Sequence, residues 1–254
     1  MLNRRGFAAT VFGMLAGCGQ TAAPPTTRKA SAGRAPHLTD ADVQAFLDVV
    51  QELPDGKAPT FQPAAEFDLT TDTRAAEMVA RWQREFRSSY SPEVQARLWK
   101  RDARLRGAID DSGLDAEQFA RLLVKLSTAV VREALDPRID LTQMGKQADS
   151  AIASLSSQFD GLDSDPRLSP SVRNGRAEFL STVLNETVAY REFLRLLEAV
   201  PPESIVIAAK HRAALRRLMP ATETVQAFEK RIESQATVIR ASHDEPGRRM
   251  ETLR

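Results

Sequence analysis

The side chains best suited to nucleophilic or metal chemistry are few: one cysteine, Cys18, and three histidines, His37, His211 and His243. A single cysteine excludes disulfides and cysteine-based zinc sites within the chain. No two histidines stand at helical spacing with a carboxylate, and the cationic neighbours of His211 on both sides disfavour a bound metal ion. We therefore expect solvated surface histidines and no metal site.

Motifs for phosphate or acyl chemistry are missing from the sequence. The 12 glycines are scattered, without a glycine-rich phosphate loop. There is no G-x-S-x-G elbow, and no serine or cysteine beside a plausible base. Asp160, Asp163 and Asp165 share one loop but lack the spacing, the central glycine and the closing glutamate of an EF-hand. We expect capping and turn roles for them, and the sequence predicts no catalytic residue and no cofactor.

The first 18 residues have an ordered sequence of features. Arg4 and Arg5 form a positively charged start, and residues 6–15 form an apolar run of about ten residues, too short to cross a bilayer as a helix. Leu15, two small residues and Cys18 follow. This order is typical of a segment that directs export.

Leu15-Ala16-Gly17-Cys18 resembles the lipobox of bacterial lipoprotein signal peptides. The resemblance implies cleavage between Gly17 and Cys18, a diacylglycerol on the Cys18 sulfur and often an acyl chain on its new amino group. One acyl chain binds a membrane only marginally, whereas two or three make release very slow. The alternatives are an ordinary signal peptide, or an uncleaved anchor, with a chance cysteine.

A second resemblance covers residues 3–8 alone. Arg4, Arg5 and Phe7 are similar to the twin-arginine export signal, although Asn3 replaces the usual serine or threonine. General secretion and twin-arginine export therefore both remain open. Gly19, in place of an aspartate, favours the periplasmic face of the outer membrane over the inner membrane if the cell has both.

The composition is that of an ordinary globular protein, with 42% apolar and 27% charged residues. The net charge is +1, and removal of residues 1–17 changes it to −1. Such a balance gives no electrostatic reason to expect nucleic acid as a partner. No later stretch approaches 18 apolar residues, the length of a spanning helix.

Apolar residues at helical spacing, separated by capping residues and prolines, predict an all-α fold. We expect a globular bundle of about eight helices, because the spacing does not continue as an unbroken heptad. In the sixth helix, Val172 and Phe179 are expected among the core-facing residues, and Phe61 and Phe67 are expected to pin a connector to the core. The expected helices cover residues 39–52, 71–88, 92–110, 116–135, 141–159, 170–200, 203–218 and 222–241.

Two basic faces and a group of aromatic residues remain. Solvated, salt-bridged surfaces are expected for the basic faces, with a membrane-surface or anionic-glycan contact as the alternative. The aromatic residues either belong to the core or line a groove. The cations are Lys100, Arg101, Arg104 and Arg106 on the third expected helix and Lys210, Arg212, Arg216 and Arg217 on the seventh; the aromatic residues are Trp82, Tyr90 and Trp99.

Composition divides the chain into a signal peptide (1–17), a disordered, flexible tether (18–36), a helical domain (37–242) and a frayed tail (243–254). The tether is rich in Ala, Pro, Thr, Ser and Gly, which cannot bury enough apolar surface to offset the entropy of ordering. We expect a cell-envelope protein, held to the membrane by lipidated Cys18, that acts as a binding or scaffold module for an envelope protein partner. The alternatives are an enzyme with a site of dispersed Asp, Glu and Arg, and a passive spacer.

Overall fold

The computed structural model describes residues 37–53, 56, 58–61, 74–164, 166 and 168–215, and in these ranges it is all-α, as predicted. None of the helices in these ranges is both long and apolar enough to cross a membrane. The described residues form nine helices: α1 (Asp40–Glu52), α2 (Ala75–Ser89), α3 (Pro92–Trp99), α4 (Ala103–Asp111), α5 (Ala116–Ala134), α6 (Leu141–Gly161), α7 (Pro170–Glu198), α8 (Pro202–Lys210) and α9 (Arg212–Leu215).

Most helices begin where a side chain caps the first backbone N–H groups. Thr39 and Asp42 form a reciprocal capping box at the start of α1, and Asp115 and Gln118 do the same for α5. Ser169 caps α7 ahead of a proline at its first position. These starts confirm the predicted ones, because capping depends on residues only three positions apart.

The prediction of a single third helix over residues 92–110 is wrong. The chain turns after Trp99, and the N–H of Asp102 bonds to the carbonyl of Trp99 at 2.9 Å. The Asp102 carboxylate then accepts from the N–H groups of Arg104 and Leu105 at 2.9 and 3.2 Å, which starts α4 afresh. This turn allows Trp99 and Leu105, only 2% and 6% exposed, both to reach the core.

Three other expected helices differ from the structure or lie outside it. The second helix begins at Ala75, four residues later than predicted, because the Asp160 carboxylate accepts from the Ala75 N–H at 3.0 Å. The seventh ends at Lys210, and a turn at His211 separates it from the short α9. The expected helix at 222–241 and the tail lie outside the described residues.

Helix α5 is the centre of the largest apolar cluster. Ten of its 19 residues are buried, which allows it to pack against α1, α3, α4, α7 and α8 at once. Burying an apolar side chain of this size contributes roughly 1.5–3 kcal/mol. The fully buried large side chains of this cluster are Leu38, Phe46, Ile109, Phe119, Leu122, Leu123, Leu126 and Leu215.

A chain of aromatic rings runs from α1 through α5 and α3 to the end of α2. Phe119 lies with its ring centroid 5.9 Å from both Phe46 and Trp99. Phe61 continues the chain, 6.0 Å from Trp99 and 5.2 Å from Tyr90. Phe61 therefore pins the connector to the core as predicted, whereas Phe67 lies outside the described residues.

Helices α6 and α7 form a long hairpin against which α2 packs. The α2 residues Met78 and Trp82 meet Leu184 and Val188 of α7 in a separate small cluster. Further along the hairpin, α6 and α7 share a second cluster that includes Leu194 and Leu197. The hairpin thus has two apolar contact regions, and the first residues of α7 lie before both.

Candidate interaction surface

The predicted export and lipidation residues precede the described part of the chain. Arg4, Arg5, Phe7, Gly17 and Cys18 all lie within residues 1–36, outside the described ranges. The structure therefore describes the helical part of the chain, which follows the proposed tether. In the helical part, exposed apolar side chains and surface charges are the features relevant to binding.

The first ten residues of α7 carry two exposed apolar side chains on one face. Val172 is 47% exposed and Phe179 is 66% exposed. Each residue turns an α-helix by about 100°, so a separation of seven residues returns to within about 20° of the same direction, about 10 Å further along. Val172 and Phe179 therefore lie on one face of α7, and we name this pair the α7 stripe. Their predicted place in the core is wrong.

The reason for the exposure lies in where α7 meets its neighbours. The first buried residue of α7 is Leu180, and the buried positions continue from there to Leu197. Phe179 directly precedes Leu180 but points about 100° away from it, toward solvent. A Cβ placed on Gly175, between Val172 and Phe179, would meet nothing within 4 Å. This part of α7 is open to a partner.

Arg176 adds a charge beside the α7 stripe. It is exposed and lies four residues after Val172 and three before Phe179, close to the same face of the helix. Among the described residues it has no ion-pair partner. An exposed phenyl ring, a valine and a free guanidinium together favour a partner with an apolar pocket and a nearby carboxylate.

Val206 on α8 is also 66% exposed but stands alone. Its neighbours on the helix surface, Pro202, Glu203, Ala209 and Lys210, are small, polar or proline and also exposed. Single exposed apolar residues are common on protein surfaces and indicate no site. Val206 is therefore a natural control for Phe179.

Buried charges between α2 and α7 serve the fold. Glu192 has a side chain only 3% exposed. Arg87 donates to it twice, from Nε to Oε2 at 2.7 Å and from Nη2 to Oε1 at 3.0 Å, and Arg195 donates to the same Oε1. These bonds raise the pKa of Arg87. Because both carboxylate oxygens are occupied and shielded from solvent, Glu192 joins helices and is not available to a substrate.

A second ionic contact joins α6 to α7 around Arg191. Its Nε donates to Asp149 at 2.9 Å, and its Nη1 lies 3.6 Å from a Glu198 oxygen. Burial lowers the pKa of Arg191, but the hydrogen bond and charge of Asp149 and the charge of Glu198 outweigh it, so the pKa is raised. A Cβ on Gly145 would lie 3.0 Å from the guanidinium, so glycine permits this close approach.

The remaining candidates from the sequence have structural roles. Trp82, Tyr90 and Trp99 are at most 8% exposed, so they belong to the core and not to a groove. Burial raises the pKa of Tyr90. Asp160 caps α2, which fits the predicted capping role. In the part of the chain that the structure describes, no three His, Cys, Asp or Glu residues are grouped so as to hold a metal ion.

The basic face expected on the seventh helix is salt-bridged where it is described. Lys210 contacts both oxygens of Asp40 at 2.8 Å, and Arg212 pairs with Glu133. His211 also contacts Asp40, with its Nε2 2.6 Å from Oδ1. Arg216 and Arg217 lie outside the described residues.

The contacts of Asp40 and Leu38 fasten the start of the described chain to α8. The N–H of Leu38 donates to the buried Ser204 hydroxyl at 2.8 Å, next to the bridge from Asp40 to Lys210 and His211. We name this set of contacts the N-terminal clasp. Its partners are separated by about two thirds of the chain, so it joins the first helix to the last ones.

The clasp predicts a pH dependence of stability. Hydrogen bonds from Lys210 and then from His211 lower the pKa of Asp40 in the folded protein. A lowered folded pKa stabilises the protein above the unfolded value of about 3.9, and that contribution is lost as pH falls through the folded pKa. We expect Asp40→Asn to lower the melting temperature at neutral pH, with a difference from wild type that closes below about pH 4.

Thermal unfolding followed by circular dichroism across this pH range measures the effect. Asp48→Asn is the matched control, since Asp48 is an exposed aspartate on the same helix that contacts Gln44 of that helix and not α8. A difference for Asp40→Asn that stays constant with pH, or that equals the difference for the control, contradicts the clasp.

Comparison of the chain with protein-family models, with curated proteins and with solved structures finds no match in any of the three. The function is therefore argued from this chain's own residues. Sequence patterns did not reveal the α7 stripe, because helical spacing assigns Val172 and Phe179 to the core. No local signal marked the exposure of Phe179, because adjacent apolar residues such as Leu122 and Leu123 are both buried.

Proposed function

We propose that this protein is a lipid-anchored binding module of the bacterial cell envelope that holds a protein partner on the first part of α7. The observation that carries the binding function is the 66% exposure of Phe179 on the same face as Val172. Keeping an aromatic side chain in water forgoes roughly 1.5–3 kcal/mol of burial. A partner that covers the α7 stripe recovers this free energy.

The sequence before the helices supports the anchor. Cys18 follows a charged start, a short apolar run and Leu15-Ala16-Gly17, the order that resembles a lipoprotein signal. Two or three acyl chains on Cys18 would hold the protein at the membrane, and residues 19–36 would link it to the helices. The periplasmic face of the outer membrane is the proposed location if the cell has two membranes.

A test of the binding function compares Phe179→Ser with wild type in intact envelopes. Proteins crosslinked to the full-length, C-terminally tagged chain are recovered and quantified. We expect at least about a tenfold loss of one reproducible partner, because losing roughly 1.5–3 kcal/mol of aromatic burial corresponds to a factor of ten or more. The fold should be unaffected, since an exposed side chain contributes little to stability.

Val206→Ser is the matched control, because Val206 has the same 66% exposure on another helix. It is expected to recover the partner as well as wild type does. Equal recovery with Phe179→Ser and Val206→Ser would contradict a binding role for the α7 stripe. Absence of any reproducible partner with wild type would favour the passive spacer.

The enzyme alternative has less support in the described residues. Burial raises the pKa of the Glu85 carboxyl, against a smaller lowering by the charge of Arg81. Two close carboxyls whose environments separate their pKa values are one recognisable arrangement for acid–base catalysis. The carboxyls that lie close together here, Asp149 and Glu198, are both paired with Arg191. Their arrangement serves helix packing better than proton transfer.

A further inference from the structure

The turn between α3 and α4 carries a compact positive surface. Four of the seven residues from 100 to 106 are cations, all four are exposed, and Asp102 is the one acid among them. We name the four the α3–α4 patch: Lys100, Arg101, Arg104 and Arg106. Their predicted place on a single helix is wrong, because the break after Trp99 distributes them over a turn and the start of α4.

The charges of the α3–α4 patch, like that of Arg176, are used differently from those of several other exposed cations. Lys210, Arg212 and Arg138 each contact a carboxylate. None of the four patch residues has an ion-pair partner among the residues the structure describes. The carboxylate of Asp102 is occupied by the backbone N–H groups that it caps. The patch therefore presents its positive charge outward.

The position of two arginines is not explained by helix stability. Arg104 and Arg106 are the second and fourth residues of α4, near the N-terminal end. The helix dipole places partial positive charge there, so cations are disfavoured. Buried Leu105 lies between them and fixes this part of the chain against the core. These charges are unfavourable for the helix and are held on a fixed part of the chain. Such a surface is suited to binding an anion from outside the protein.

We propose that the α3–α4 patch docks on anionic phospholipid headgroups of the membrane that carries the anchor. This inference rests on the proposed lipid anchor at Cys18. Guanidinium groups bind phosphate with two parallel hydrogen bonds, and lysine adds a point charge. The exposed large apolar residues of the described chain lie elsewhere, on α7 and α8, so the patch offers charge without a protein-binding anchor.

Because the anchor keeps the helices near the bilayer, a weak electrostatic contact is sufficient to orient them on it. Eighteen residues lie between Cys18 and His37, and the nineteen steps of about 3.3–3.6 Å from one to the other extend to roughly 65 Å at most. The helices therefore stay within reach of the bilayer whichever way they turn. Each cation near an anionic surface is expected to strengthen binding about fivefold, which corresponds to about 1 kcal/mol. Docking would then determine which side of the helices faces the membrane. It would also determine whether the α7 stripe faces away from the membrane.

The test uses the proposed mature chain, residues 18–254, with Cys18→Ala, so that binding depends neither on acyl chains nor on the apolar segment of residues 6–15. Its sedimentation with mixed phosphatidylglycerol–phosphatidylcholine vesicles is compared with that of a variant in which all four patch residues become glutamine. We expect at least a tenfold weaker affinity for the anionic vesicles, weaker binding of the parent chain at high salt, and no binding by either protein to phosphatidylcholine alone.

A second variant provides the matched control. It replaces one lysine and three arginines at other exposed positions with glutamine, so it has the same net charge as the patch variant: Arg74, Arg84, Arg138 and Lys146. It is expected to bind anionic vesicles within about twofold of the parent chain, well below the effect of losing four headgroup contacts. Circular dichroism melting of both variants checks the fold, and the patch variant should melt no lower than the parent chain.

Three outcomes would overturn the inference. Equal losses in the patch variant and the control variant would show that binding follows net charge alone. Unchanged binding in the patch variant would show that the patch is not the contact. Retained vesicle binding, with loss of binding to a sulfated glycan such as heparin, would assign the patch to an anionic polysaccharide. All three leave the anchor proposal standing, because acyl labelling at Cys18 tests that separately.

Discussion

Cys18→Ala is expected to abolish acyl labelling and to reduce the share of the protein in the membrane fraction. Cys18 is the one cysteine of the chain, so no other thiol can carry a thioether-linked lipid. Each acyl methylene buried in the bilayer contributes about 0.8 kcal/mol, and two or three chains make dissociation very slow. Metabolic labelling with a fatty acid, followed by fractionation of the cells, measures both effects.

The mass of the mature chain separates this proposal from its alternatives. Thr21→Ala, three residues beyond the cysteine, is the control and should be labelled, cleaved and anchored like wild type. Equal label in wild type and Cys18→Ala would refute lipidation at this thiol. An ordinary signal peptide would give an unlabelled, cleaved protein, and an uncleaved anchor would leave the full-length chain in the membrane in both variants.

Phe119→Ala is expected to lower the free energy of unfolding by about 3–5 kcal/mol. Its ring is 0% exposed and lies between Phe46 and Trp99 at the centre of the largest cluster. Truncation leaves a cavity and also removes two aromatic contacts, each worth about 0.5–1.5 kcal/mol. Because domains of this size are stable by only about 5–15 kcal/mol, the variant should be close to unfolding. Urea denaturation measures the change.

The same substitution on α7 is the matched control. Phe179→Ala removes the same atoms from a ring that is 66% exposed, and we expect a change within about 0.5 kcal/mol. A loss comparable to that of Phe119→Ala would mean that Phe179 is buried in solution. The α7 stripe would then not be a binding surface, so this pair of variants also tests the proposed function.

Features that depend on neighbouring residues could be predicted from the sequence. The helices that Thr39 and Asp115 cap begin where predicted, because a cap needs only the side chain and N–H groups three residues away. The break between α3 and α4 could not be predicted in this way. Residues 92–110 have good helical spacing throughout, and only the need to bury both Trp99 and Leu105 decides against one straight helix.

The interaction surface and the ionic contacts depend on pairs that are distant in the sequence. Arg87 and Glu192 are 105 positions apart, so no local pattern joins them. The exposure of Phe179 depends on how α7 packs against its neighbours, which spacing along α7 alone does not show. The α3–α4 patch was visible as a run of cations, but its freedom from ion pairs with described residues required the fold.

The N-terminal clasp would have a mechanical consequence under the proposed anchoring at Cys18. Any tension between membrane and partner would enter the helices at Leu38, where the chain is bonded to Ser204, and at Asp40, which is bonded to Lys210 and His211. The force would therefore pass directly into α8 and would not first peel α1 from its end. A force applied at the N-terminal end of the described chain would act on the first and last described helices together, so α1 would not separate from the fold alone.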